Sequence, residues 1–98
     1  MNKYSVLKQP IDVMRDLANR TAELRKQKKY TQVELARRSG VSLGSLRRFE
    51  QTGQISLEHL LMVAQLLDRL TEFDKVLRPI ENLEEIEKMF RDKSWKEY

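Results

Sequence analysis

The 98-residue chain contains no cysteine and a single histidine, His59. Without thiols there is no disulfide framework, no thiolate metal site and no thiol nucleophile. One imidazole cannot assemble the usual zinc ligand set. No run is long and apolar enough to span a bilayer, and the opening MNKYSVLKQPIDVM lacks the continuous apolar stretch of a signal peptide. The expected compartment is therefore the cytoplasm. A paired histidine, a glycine-rich phosphate loop and a nucleophile-elbow serine are also missing. No enzyme activity, no cofactor and no metal are expected. Repeats, low-complexity tracts and glycine-rich linkers are absent too, so one small domain is expected.

What is present is apolar residues at 40% and charged residues at 35%, a balance that fits a folded, strongly helical protein. The net charge of +4 hides an asymmetry. From Arg20 to Arg48 there are nine Lys or Arg against Glu23 and Glu34, a local net of +7; from Asp68 onward seven basic residues face nine acidic ones. A charge run is most often a solvated face. This one coincides with the stretch TQVELARRSGVSLGSLRRFEQT, Thr31 to Thr52, around which the chain is organised.

In that stretch Thr31 and Glu34 have capping-box spacing, Leu35 and Ala36 face inward, and Gly40 can end the helix in a left-handed conformation. Val41 plugs the turn, Ser42 caps a second helix, and Leu46 and Phe49 form its inner side. A helix pair of this kind enters the major groove with the start and one face of its second helix. It needs a small residue where the helices touch, a glycine in the turn and apolar plugs behind: Ala36, Gly40, Val41, Leu46 and Phe49 fill those roles.

Elsewhere, Met1 to Gln9 carry no periodicity and read as an arm. Pro10 opens a first helix, with Ile11, Met14, Leu17, Ala18, Thr21 and Leu24 on one face to about Lys28, and Tyr30 packs at the junction. After Gly53, Ser56 caps a fourth helix with Leu57, Leu60, Leu61, Val63, Ala64 and Leu67 on its buried side, expected to be the central core element. Thr71 is expected to cap a short fifth helix bearing Phe73, Val76 and Leu77, ended by Pro79. Asn82 caps a last helix with a stripe of Leu83, Ile86, Met89 and Phe90, followed by an unpatterned tail with Trp95 and Tyr98. The expected architecture is all-α: an arm over residues 1–9, a five-helix domain over 10–78 and a C-terminal helical extension over 79–98.

The segment RKQKKYTQVELARRSGVSLGSLRRFEQTG resembles the phage-repressor/Cro-like, or XRE, helix-turn-helix regulators, and the helix order extends the resemblance from Pro10 to Leu77. It implies a lambda-repressor-like fold and a dimer on a palindromic double-stranded DNA operator. It also implies phosphate contact by Gln32, base contacts by Ser42, Leu43, Gly44, Arg47 and Arg48, and a structural salt bridge between Arg25 and Glu50. Leu43 suits a thymine methyl and Gly44 a close backbone approach, so polar reading falls on Arg47 and Arg48, the latter favoured. Lys28, Lys29, Arg38 and Ser45 are further phosphate candidates. Arg37 and Arg38 also have a plain reading as partners of the helix dipole, Ser45 as a small surface residue and His59 as inert. The chain departs from the family pattern in placing two residues, Gln51 and Thr52, between Glu50 and Gly53 where one is usual. The phrase FEQTGQISLEHLLMVAQLLDRLTEFDKVL looks like HipB-type antitoxins, which would imply a kinase-like toxin partner. A protein-interaction module that kept the fold without DNA binding is the remaining alternative.

Overall fold

The computed structural model describes residues 8–93; the greater part of the arm, and Trp95 and Tyr98 in the tail, lie outside the described residues. Pro10 occupies the first turn of α1 (Pro10–Gln27), where its missing N–H leaves no bond unmade. Asp12 Oδ2 accepts from the Gln9 N–H at 2.8 Å, which satisfies another end donor. The helix closes through Lys29, whose φ is 62°, with the Tyr30 N–H donating back to the Arg25 carbonyl at 3.1 Å.

Thr31 then starts α2 (Gln32–Ser39) through a reciprocal box. Its hydroxyl accepts from the Glu34 N–H at 3.0 Å, and Glu34 Oε1 accepts from the Thr31 N–H at 3.1 Å. Gly40, at φ 83°, ends α2. Ser42 caps α3 (Leu43–Thr52), and Ser56 caps α4 (Leu57–Leu66), each hydroxyl accepting a backbone N–H three residues on.

The core gathers Leu35, Ala36, Val41, Leu46, Val63 and Leu67, with Leu24, Tyr30, Leu43, Met62 and Leu66 packed against it. Helix α4 with its cap supplies three of the nine buried hydrophobic residues among those described, Val63, Ala64 and Leu67. Of the five largest fully buried side chains, Phe49, Leu35, Leu46, Val41 and Val63, only the last belongs to α4. Leu57 is 67% exposed. Helix α4 packs on α2 and on the segment that follows it, and its first turn opens to solvent.

The fifth element also differs from expectation. It is a 3-10 helix, Leu70–Lys75, with no side-chain cap, rather than an α-helix started by Thr71. Only Phe73 is half-buried, while Val76 and Leu77 are 56% and 95% exposed. One inward residue supplies too little burial to hold a short helix, and Pro79 bars the α conformation at Arg78. Asn82 Oδ1 accepts from the Glu84 N–H at 2.7 Å at the start of the last helix, α5 (Leu83–Lys93). The described residues contain no strand, and none of their helices is long and apolar enough to cross a membrane.

Gly53 sets how α3 leans on α1. Its φ is 84°, and a Cβ there would lie 3.0 Å from the Met14 carbonyl carbon and 3.1 Å from the Arg15 nitrogen. At Gly40 the added carbon would meet only the flexible Met62 methyl, at 3.2 Å. Gly53→Ala is therefore expected to cost more than the ~1–2 kcal/mol of left-handed strain alone, and Gly40→Ala close to that figure. Equilibrium urea denaturation compares the two, and equal losses would show that backbone contact at Gly53 is unimportant.

Candidate nucleic-acid interface

Helix α3 has two opposite sides. Leu46 and Phe49 are buried, whereas Gly44, Arg47, Arg48 and Gln51 are exposed. The spacing 44, 47, 48, 51 is one face of an α-helix. Ser42, the cap, accepts from the Ser45 N–H at 3.1 Å and donates its hydroxyl to Ser45 Oγ at 2.9 Å, so these two serines engage each other. Leu43, expected among the reading residues, is half-buried and packs against the core. Gly44 is different: a methyl added there would meet nothing within 4 Å. Packing does not require a glycine at that point in the first turn of α3.

The two arginines are held differently. Arg47 has no hydrogen bond or ion pair among the described residues. Arg48 donates from Nε to Gln54 Oε1 at 3.0 Å and from Nη2 to the same oxygen. Gln54 lies between α3 and α4, beside an open cleft of ≈ 410 Å³ lined by Ser45, Arg48, Gln54, Ile55, Ser56 and His59. Neither Gln51 nor Gln54 stands out in the sequence. Gln51 was recoverable from helical spacing, being three residues beyond Arg48; Gln54 sits in a loop, where no periodicity signals it.

On the flank of α3 Arg25, Gln32 and Glu50 come together. Arg25 donates from Nε to Glu50 Oε2 at 2.8 Å, from Nη2 to Glu50 Oε1 at 3.1 Å, and from Nη1 to the Tyr30 carbonyl at 2.9 Å. Gln32 Nε2 adds a bond to Glu50 Oε1 at 2.9 Å. The Arg25 and Glu50 side chains are only 11% and 9% exposed. Three donors on one carboxylate satisfy the desolvated charge, and no buried side-chain polar atom among the described residues lacks a partner.

The remaining phosphate candidates divide. Lys28 Nζ stands 3.4 Å from Asp68 Oδ2, and the Arg38 guanidinium stacks over the Tyr30 ring at 5.0 Å. The exposed side chains of Lys29 and Arg37 make no hydrogen bond or ion pair among the described residues. Among those residues no cluster of His, Asp or Glu could hold a metal ion.

A short capped helix with arginines outward and its inner side buried, set on a second capped helix, is the geometry of a DNA-binding helix-turn-helix. Residues 22–73, just over half of the chain, match the helix-turn-helix family. The chain belongs to that family, in its XRE-type, lambda-repressor-like all-α form, and is a DNA-binding helix-turn-helix regulator. No curated protein and no solved structure matches it.

Removing one member of a buried ion pair strands the other charge and typically costs about 3–5 kcal/mol. Arg25→Met is expected to destabilise the fold by an amount of that order. Replacing Glu50 with Leu in the same chain should recover most of the loss, because the stranded carboxylate goes too. A double-mutant cycle by chemical denaturation measures this, and additive losses would mean that the pair is not coupled.

Proposed function

We propose that this protein is a sequence-specific, homodimeric repressor that lays α3 in the major groove of a palindromic operator. The observation that carries the reading is the exposed stripe of Gly44, Arg47, Arg48 and Gln51 on a helix whose inner side is locked into the core. Gly44 supports it, since a glycine unneeded by packing fits a surface that another molecule approaches closely. Arg47 and Arg48 present the donors that guanine O6 and N7 accept. Gln51 adds an amide whose donor and acceptor match adenine. Ser42 and Leu43 stand at the entry of the helix, with Leu43 restricted to an edge contact by its packing on the core.

Phosphate contacts fall to Lys29, Gln32 and Arg37, with Lys28, Arg38 and Ser45 as supports at the rim. Gln32 spends one amide hydrogen on Glu50 and keeps the other. The repressor role follows the resemblance to phage repressors. The reading requires operator affinity to fall steeply with salt, log K dropping by roughly 0.9 for each phosphate neutralised. Arg47→Ala should cost about 1–3 kcal/mol at one base position and relax preference there. Fluorescence anisotropy on selected and random duplexes measures both; absence of binding to any duplex at micromolar protein and low salt would favour a protein-interaction module.

The dimer rests on a separate observation. Of the nine exposed large hydrophobic residues among those described, six lie between Leu70 and Phe90: Leu70, Val76, Leu77, Ile80, Leu83 and Phe90. Exposed apolar side chains concentrated on one segment mark an association surface, and a second copy doubles the few base contacts one helix makes. Leu83→Glu is expected to shift the protein toward monomer in sedimentation velocity and weaken operator binding while random-duplex binding by each domain persists. An unchanged sedimentation coefficient would place the interface elsewhere.

A further inference from the structure

We infer that Gln54 is a positioning residue for base reading: it holds the Arg48 guanidinium by its side edge so that the adjoining end edge is presented to a guanine. This rests on the DNA-reading role of α3 proposed above. The guanidinium has five N–H groups in one plane, and either of two edges can make a paired contact. In this structure Nε and Nη2 both point at Gln54 Oε1. That oxygen is fixed by chemistry as the amide carbonyl, since arginine only donates. The end edge, formed by Nη1 and the second hydrogen of Nη2, is left for a bidentate acceptor, and guanine O6/N7 is one.

Gln54 is itself held in place. Its backbone N–H donates to Thr52 Oγ1 at 3.1 Å, and the Thr52 hydroxyl donates to the Arg48 carbonyl at 2.7 Å. The hydrogen bonds therefore close a ring: Arg48 backbone, Thr52 side chain, Gln54 backbone, Gln54 side chain, Arg48 side chain. Gly53 lies inside this ring, buried and jammed against the α1 backbone at Met14 and Arg15. The ring exists because two residues, Gln51 and Thr52, separate Glu50 from Gly53. The spacing places Thr52 four residues beyond Arg48, in reach of its carbonyl. A long side chain restrained before DNA arrives loses less freedom on binding, worth about two- to tenfold in affinity at the base it reads.

The experiment uses the full chain. Selection from a random duplex pool defines the preferred site, and Arg48→Ala identifies the base position whose preference depends on Arg48. At that position the ratio of Kd values for the preferred and disfavoured bases is measured for wild type and for Gln54→Ala, Gln54→Met and Gln54→Glu. Loss of the acceptor in the first two variants is expected to lower the ratio about two- to tenfold, leaving other positions unchanged. Gln54→Glu, which keeps an acceptor, should restore it while weakening binding to every duplex by charge repulsion. Melting curves like wild type for at least one acceptor-less variant separate this from unfolding. A ratio that stays constant or rises in the acceptor-less variants overturns the inference, a rise meaning that Gln54 competes with the base. Equal weakening at all positions overturns it as well, since Gln54 would then act on affinity alone. If wild type selects no sequence at all, the DNA-reading proposal itself fails, and that result is read before any variant is made.

Discussion

Everything above the core depends on one carboxylate. Glu50, nearly buried in α3, takes two donors from Arg25 of α1 and one from Gln32 of α2. Arg25 also holds the Tyr30 carbonyl at the junction between α1 and α2. A single ion pair thus ties together the three helices α1, α2 and α3. Burying two charges contributes little net stability, because desolvation offsets most of the attraction. What it does contribute is direction. Apolar contacts tolerate small rotations, whereas three charge-assisted hydrogen bonds on one carboxylate do not.

That rigidity matters because groove recognition is geometric. Base edges present donors and acceptors at set positions, and a helix turned by one residue would turn Ser45, Arg48, Phe49 and Thr52 outward in place of Gly44, Arg47, Arg48 and Gln51. The polar network grips the flank of α3 through Glu50, and Gly53 wedges the end of α3 against α1. The start and end of α3 are therefore held by different means. Ser42 and the core contact of Leu43 secure the start; the left-handed glycine and the Thr52–Gln54 bonds secure the end.

The sequence makes much of this legible, for identifiable reasons. Caps such as Thr31–Glu34, Ser42 and Ser56, and the glycine at 40, are local chemistry and can be read within four residues. The buried partners Leu35, Val41, Leu46 and Phe49 follow from helical spacing. Less visible is anything decided by competition between surfaces. The apolar content of α4 overstates its burial, since its first turn opens to solvent, and the segment after Leu70 forms a 3-10 turn because a single inward phenylalanine cannot hold a helix. Leu43 looks outward by its place in the motif, yet the core takes part of it. The Arg48–Gln54 contact joins a helix to a loop six residues away, a distance at which no periodic rule operates.

Gly44 divides the labour of this small domain. The residues that make α3 a helix in the right place, Ser42, Leu46, Phe49, Glu50 and Gly53, are disjoint from those on its outward stripe, and position 44 opens onto empty space. Side chains can be exchanged on the stripe without disturbing what lies beneath it. On the proposed reading of the stripe, a lineage built on this scaffold can acquire a new DNA address in single steps, each one a change of meaning with no accompanying crisis of folding.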